Sequence, residues 1–292
     1  MRILRHSYLW TLVCICAIAG CAQSAPGEAS LSYALPNSEI VRLPTSSNGI
    51  DYELYIHIPP ACEDQEGGCP VIYLLDAEYS FALSAQIVTH LADRDRIPPL
   101  ISIAIGYPDK SQYRRFRSRD YTPYFHATGG YGEEMQKQSG GGPAFLEVIE
   151  KEIIPYIETH YHASSSHRTL VGHSYGGLCA TYAWITSPET FENYVIVSPS
   201  RWYADGRPLS DAIEACAHSG FSGESDIVMT VGQYEEQPEN GRAMVSDLQK
   251  LQSILDNCSM RSVATYLRVF EDETHASTFP AALSTSLRKH FQ

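Results

Sequence analysis

The chain has 292 residues, of which 43% are hydrophobic, and its formal net charge is −13. This length predicts one α/β domain with a large core or, at most, two small domains. The excess of acidic residues argues against electrostatic binding to a nucleic acid backbone and leaves the substrate open.

Residues 1–20 have the composition of a signal peptide. Two arginines provide a basic start, and residues 8–19 form an apolar run that is too short to span a bilayer. Small residues then precede Cys21, as in the cleavage site of a bacterial lipoprotein. We therefore predict a lipoprotein signal peptide, a diacylated Cys21 and a flexible tether over residues 21–45. The alternative is an ordinary signal peptide in which Cys21 has no role. The predicted location is the periplasm, with membrane attachment only through this lipid anchor.

Export makes disulfide bonds possible for the remaining cysteines. Cys62 and Cys69 flank a polar turn with two glycines, and we predict that they are bonded. Cys179 lies in a predicted helix and is interpreted as a small core residue. Cys216 and Cys258 remain, and the sequence leaves their pairing undecided.

Short apolar runs alternate with longer amphipathic segments between residues 46 and 292. The predicted strands cover residues 52–58, 71–75, 100–105, 169–171, 194–197, 227–231 and 265–270. The predicted helices cover residues 144–161, 175–186, 241–255 and 277–291. This alternation predicts a single α/β catalytic domain with a mostly parallel central sheet and helices on both faces.

One segment, residues 118–143, is rich in Tyr, Gly and His and has no clear period. Loops of this length in a compact domain are usually functional or disordered, and the aromatic residues argue against disorder. We interpret the segment as a wall or lid of the active site.

The strongest motif is Gly-His-Ser-Tyr-Gly at residues 172–176, which follows a short strand and precedes a helix. This context predicts the nucleophile elbow of an α/β hydrolase, with Ser174 as the nucleophile. Glycine at 172 and 176 would remove clashes with the tightly turned serine backbone.

The base and acid are expected after Ser174 in the order acid, then histidine. His275 follows a predicted strand in an acidic turn and precedes a helix, whereas His218 and His290 lie in less suitable places. The loop after strand 227–231 contains no aspartate, so we predict Glu235 as the acid. Glu236 and a Ser–His dyad without an acid are the alternatives.

The oxyanion hole of such an enzyme needs two backbone N–H groups. One is expected from Tyr175, directly after the nucleophile, and the other from Ala77, directly after the strand at residues 71–75.

Several segments together resemble the esterase D group of α/β hydrolases, within the branch that includes trilactone siderophore esterases. The matching segments are 71–77, 119–123, 142–146, 152–155, 171–178 and 198–202. The resemblance implies one catalytic domain that hydrolyses carboxylic esters or thioesters of a small molecule, with no metal or other cofactor. Ala77 departs from the family, where this position is often glycine. Some siderophore esterases of this branch work with a Ser–His dyad, which leaves a catalytic role for Glu235 open.

Arg119, Arg201 and Trp202 lie in these segments and are predicted near the pocket. The two arginines would steer an anionic acyl or catecholate group, or else form structural ion pairs. The predicted function is a serine ester hydrolase that acts through an acyl-enzyme, with a siderophore ester or lactone as the substrate suggested by the resemblance. The alternatives are an acyltransferase with the same first half-reaction and a non-catalytic interaction protein on a hydrolase fold.

Overall fold

The computed structural model describes residues 33–94, 97–128, 130–208, 210–211, 214, 225–240, 242–256 and 263–292. Its strands are β1 (Ser38–Arg42), β2 (Glu53–His57), β3 (Cys69–Leu74), β4 (Ile101–Gly106), β5 (Ala163–His173), β6 (Asn193–Val197), β7 (Ser225–Gly232), β8 (Glu236–Gln237), β9 (Arg242–Ala243) and β10 (Val263–Phe270). All except β8 and β9 form one sheet in the order β1-β2-β4-β3-β5-β6-β7-β10. Strand β2 is antiparallel to both of its neighbours and the other pairs are parallel, which confirms the predicted mostly parallel sheet.

The helices lie on both faces of this sheet. They are α1 (Ala77–Arg94), α2 (Tyr113–Asp120), α3 (Glu133–Gln136), α4 (Gly142–Val148), α5 (Ile154–His160), α6 (Tyr175–Thr186), α7 (Met244–Asp256) and α8 (Thr278–Phe291). Alternate residues of β3 belong to different cores: Tyr73 packs in the cluster with α4, α6 and α7, and Leu74 packs in the cluster with α1 and α8. The central strands are buried on both faces, so their sequences are continuous apolar runs. Among the described helices, none is long and apolar enough to cross a membrane.

The folded unit begins earlier than the sequence predicted. Residues 21–45 were expected to be a tether, but Ser38–Arg42 pairs with β2 as an edge strand, and the compact unit extends from Leu35 to Gln292. Most residues of β1 are exposed, so this strand lacks the apolar alternation that marks a strand buried on one face.

Helix α1 was also absent from the predicted helices. Its buried positions repeat with a helical period, but four of the seven are Ala or Ser. Small residues let the helix pack closely on the sheet and at the same time weaken its hydrophobic pattern.

The predicted helix 144–161 is interrupted by a π-helical turn at Ile149–Ile153 between α4 and α5. Pro155 follows this turn and has no N–H to donate to the preceding turn. The wider winding accommodates the missing hydrogen bond without ending the helix.

The structure joins Cys62 and Cys69 in a disulfide bond, with their Cα atoms 5.2 Å apart. Cys179 is a free, buried cysteine on α6. The predictions for Cys21, Cys216 and Cys258 fall outside the described residues.

Candidate active site

Ser174 lies in the turn between β5 and α6, with φ 59° and ψ −115°. A non-glycine residue rarely adopts a positive φ, so surrounding contacts must hold this turn in place. A Cβ atom at Gly172 would lie 2.1 Å from the Gly176 carbonyl oxygen, and glycine is therefore required there. At Gly176 the nearest atom to such a Cβ would be 3.3 Å away, so the predicted requirement for glycine is weaker at that position.

The Ser174 side chain stands at the N-terminus of the 12-residue helix α6, where the helix dipole favours negative charge. The hydroxyl has one hydrogen-bond partner among the described residues, the Ser200 hydroxyl, at an Oγ–Oγ distance of 3.3 Å. The backbone N–H of Ser200 donates to the Ser174 carbonyl oxygen (3.1 Å), which ties the loop after β6 to the elbow.

Glu235 and His275 form the central polar contact of the site. His275 Nδ1 lies 2.6 Å from Glu235 Oε2, and the glutamate side chain is only 2% exposed. Its other oxygen, Oε1, accepts hydrogen bonds from the Ser198 hydroxyl and the Gly232 N–H, both at 2.7 Å. A carboxylate accepts hydrogen bonds, so we assign the donor role in this contact to His275 Nδ1, which leaves Nε2 for another partner.

Glu236, the alternative acid, points elsewhere. Its carboxylate accepts hydrogen bonds from the backbone N–H and the hydroxyl of Ser246, and the residue is exposed. Of the two adjacent glutamates, the structure brings only Glu235 to His275.

The loop that carries His275 is fastened to the loop that carries Glu235. The Tyr234 N–H donates to the Glu273 carbonyl oxygen (3.1 Å), and the Tyr234 hydroxyl donates to Asp272 (2.8 Å). A Cβ atom at Gly232 would lie 2.5 Å from the same carbonyl oxygen of Glu273. This close approach sets the short distance between the imidazole and the carboxylate.

A cavity of about 550 Å³ opens over these groups. Its walls combine the polar groups just described with two arginines and the rings of three tyrosines and a tryptophan. The lining residues include Arg117, Tyr131, Ser174, Tyr175, Ser200, Trp202, Tyr234, Glu235, Arg242 and His275. Tyr131 comes from segment 118–143, so this segment supplies part of the cavity wall. Across the described parts of the chain, no group of His, Cys, Asp and Glu side chains has the arrangement of a metal site.

Comparison with known families places this arrangement in context. A family model described as "Putative esterase" matches residues 45–290. The chain belongs to this esterase family.

Two relatives of the esterase have names that state the siderophore on which they act. It is 28% identical to the siderophore triacetylfusarinine C esterase of Aspergillus fumigatus, over 91% of this chain and 97% of the relative. It is 24% identical to the ferri-bacillibactin esterase of Bacillus subtilis, over 90% of this chain and 92% of the relative. Among solved structures, an IroE-like serine hydrolase from Shewanella oneidensis has a TM-score of 0.76 and 26% identity, covering 87% of this chain and 80% of its own. These comparisons confirm the predicted α/β-hydrolase fold and a serine ester hydrolase.

A buried ion pair beside the nucleophile turn connects three segments of the chain. Asp76, directly after β3 and at φ 62°, accepts hydrogen bonds from Arg117 Nε (2.6 Å) and Nη2 (2.9 Å). The same guanidinium donates to the His173 carbonyl oxygen (3.0 Å) and to the Tyr131 hydroxyl (2.9 Å). One arginine therefore links the loop after β3, the nucleophile strand and segment 118–143. Its charge is balanced by Asp76.

Ala77, predicted for the oxyanion hole, begins α1 and is buried without lining the cavity. Its N–H belongs to the first turn of a helix and has no acceptor within that helix. The Tyr175 N–H has the same position in α6, and Tyr175 does line the cavity. The role of Ala77 stays a prediction.

The predicted substrate-binding arginines require correction. Arg119 hydrogen-bonds its neighbour Asp120 through Nε (2.6 Å) and Nη2 (2.8 Å), and it does not line the cavity. Arg201 is 2% exposed and also lies off the cavity wall, and burial lowers its pKa to about 10. Trp202 does line the cavity. Arg117 and Arg119 lie two positions apart on helix α2, so their side chains leave the helix on different sides.

His173 packs against the base, with its ring centroid 4.6 Å from that of His275. Burial, followed by the nearby His275 and Arg117, lowers the His173 pKa to about 3. His173 therefore stays neutral at the pH values where esterases work and adds no charge beside the base.

Several cavity residues were not assigned a role from the sequence, among them Ser200, Arg117 and Arg242. Ser200 lies within the matching segment 198–202, and Arg117 lies two residues before Arg119, which was predicted near the pocket. Arg242 falls in a segment predicted as helix, and an arginine on the exposed face of a helix does not by itself indicate a binding site.

Proposed function

We propose that the esterase hydrolyses ester or lactone bonds of siderophores through an acyl-enzyme on Ser174, with His275 as general base and Glu235 as the acid of a triad. The observation that carries the proposal is the hydrogen bond between the buried Glu235 carboxylate and His275, at the wall of the cavity that contains Ser174. A serine hydroxyl needs a neighbouring base to become a nucleophile, and an oriented, neutral imidazole is such a base.

In this mechanism Ser174 Oγ attacks the acyl carbon while His275 Nε2 takes the hydroxyl proton. Glu235 stays ionised and stabilises the imidazolium that forms. The imidazolium then gives the proton to the leaving alcohol oxygen. Water repeats the sequence on the acyl-enzyme and releases the acid. In the structure Ser174 Oγ contacts the Ser200 hydroxyl, so the Ser174 hydroxyl must turn towards His275 for the proton transfer, as catalytic hydrogen bonds often tighten in the complex.

The negative charge on the tetrahedral intermediate would be held by the N–H groups of Tyr175 and Ala77. Each is the first N–H of a helix, where several unpaired N–H groups and the helix dipole favour an anion. The two helix starts lie close together, because a Cβ atom at Gly176 would be 3.3 Å from Asp76 Oδ2.

The substrate class follows from the relatives, which are named as esterases of triacetylfusarinine C and ferri-bacillibactin. The cavity supports it because Tyr131, Tyr175, Trp202 and Tyr234 line its walls and provide apolar faces with polar edges.

Incubation with a metal-free catecholate trilactone, followed by mass spectrometry, tests the substrate class. We expect linear trimer, dimer and monomer to appear in turn. Ser174→Ala should reduce their formation by at least ~10³-fold, whereas Ser165→Ala on the exposed start of β5 should leave it unchanged. Intact trilactone, together with rapid hydrolysis of p-nitrophenyl butyrate, would exclude the siderophore substrate and retain the esterase.

We further propose that the esterase is exported and anchored by a lipid on Cys21. The apolar run at residues 8–19 and the small residues before Cys21 support this. The full chain made in a bacterial host should enter the detergent phase of a Triton X-114 separation. Cys21→Ser should move it to the aqueous phase, and Cys16→Ser should not. Aqueous behaviour of the unaltered protein would contradict the anchor.

A further inference from the structure

The cavity wall carries two arginines, and only one of them is available to a ligand. Arg117 is 3% exposed and is fully engaged by Asp76, His173 and Tyr131. Arg242 is exposed, and none of the described residues forms a hydrogen bond or ion pair with its guanidinium.

Arg242 lies on β9, which pairs with β8 in a small hairpin directly after Glu235. Its guanidinium carbon lies over the ring of Trp202, 5.2 Å from the centroid. Contact with an aromatic face leaves the N–H groups at the edge of the guanidinium free. Those N–H groups match two neighbouring negative oxygens, as in a carboxylate or a catecholate.

Trp202 is itself held by the catalytic loops. Its ring centroid is 6.0 Å from that of Tyr175, the residue after the nucleophile. It also lies two residues after Ser200, whose hydroxyl contacts Ser174. A group bound by Trp202 and Arg242 is thus beside the reacting ester in the same cavity.

We propose that Arg242 and Trp202 form a specificity subsite for an anionic aryl group of the ester substrate, with the charge on a carboxylate or a catecholate. This subsite rests on the proposed ester hydrolysis at Ser174. The chain has a formal charge of −13 and so repels anions at long range. Preference for an anionic ester must therefore come from a local cation, and Arg242 is the free one among the described residues of the wall.

Two esters that differ by one charge test the subsite: the methyl esters of N-benzoylserine and N-(3-carboxybenzoyl)serine. The measured quantity is the ratio of kcat/KM for the anionic ester to kcat/KM for the neutral one. Arg242→Gln should lower this ratio about tenfold, because the variant loses one partly exposed charge-assisted hydrogen bond to the anionic ester and a bond of that kind contributes about this factor. Added salt should lower the ratio for the unaltered esterase more than for the variant.

Arg268→Gln is the matched control. Arg268 is also exposed and lies over an aromatic ring, that of Phe270 at 5.0 Å, but it is off the cavity wall. This variant should keep the ratio. Circular dichroism melts of both variants check folding.

An unchanged ratio in folded Arg242→Gln overturns the subsite, whether the two rates stay constant or fall equally. Failure of the unaltered esterase to hydrolyse either ester, together with no labelling of Ser174 by diisopropyl fluorophosphate, overturns the proposed function and the subsite with it. Hydrolysis of the neutral ester with an unchanged ratio overturns the subsite alone.

Discussion

Replacement of Glu235 by glutamine probes the triad with little change in shape. In the esterase both carboxylate oxygens are occupied: Oε1 accepts from Ser198 and from the Gly232 N–H, and Oε2 accepts from His275. Glutamine has one acceptor oxygen and one amide group that donates. In Glu235→Gln, either His275 or the pair formed by Ser198 and the Gly232 N–H therefore loses its acceptor oxygen.

The buried Gly232 N–H determines how the glutamine amide is oriented. The Gly232 N–H cannot turn away and would be left unpaired if the amide NH₂ faced it, at a cost of roughly 1–3 kcal/mol. The glutamine oxygen is therefore expected to stay with Gly232, and its NH₂ to face His275 Nδ1. The imidazole must then accept at Nδ1 and carry its proton on Nε2, which is the wrong tautomer to take the Ser174 proton. Loss of the correct tautomer and of the charge should lower kcat by ~10²–10⁴-fold. KM should change little, because both effects act after binding.

Steady-state hydrolysis of p-nitrophenyl butyrate gives kcat and KM for this test. Glu236→Gln is the matched control, since Glu236 is exposed and bonds Ser246. Its kcat should stay within about twofold. If Glu235→Gln keeps more than a tenth of kcat, the triad is refuted and the esterase works with the Ser174–His275 dyad. A loss in Glu236→Gln instead would refute the assignment of the acid.

Two further predictions concern stability. Gly172→Ala should lower the melting temperature by roughly 6–12 °C, because its Cβ meets a backbone oxygen at 2.1 Å and a clash there costs about 3 kcal/mol. Gly176→Ala, with 3.3 Å of room, should change it by less than about 3 °C, and equal shifts would contradict the elbow geometry. Burial lowers the His290 pKa to about 4, so the unfolded chain takes up a proton below pH 6.5 while the folded chain does not. Stability from this group is present above pH 6.5 and is lost as pH falls towards 4, by about 1 kcal/mol at pH 5.5. In urea unfolding, His290→Gln should reduce the loss of stability between pH 7.5 and 5.5, and His90→Gln, at an exposed position, should not. An equal loss of unfolding free energy in the unaltered esterase, His290→Gln and His90→Gln would show that His290 does not contribute to this pH dependence.

Local sequence was sufficient for the fold class and for the central motif. The strand, the Gly-His-Ser-Tyr-Gly turn at residues 172–176 and the following helix form one continuous segment, so their pattern can be recognised in a short window. The parallel sheet was predicted from the alternation of strands and helices, and the esterase family from the resemblance of several segments along the chain. Where the apolar pattern is weak, as in the small residues of α1 and the exposed strand β1, the same method failed.

Only the tertiary structure decided which neighbouring side chain faces the cavity. Glu235 and Glu236 are equivalent in sequence, but Ser198 and the Gly232 N–H hold the first inward and Ser246 holds the second at the surface. Likewise, Arg119 bonds Asp120 and Arg201 is buried off the cavity wall, whereas Arg242, which no sequence pattern indicated, lines the cavity. In irregular loops no periodicity assigns a side chain to a face. Contacts with segments distant in sequence set its direction, and those contacts exist only after the chain has folded.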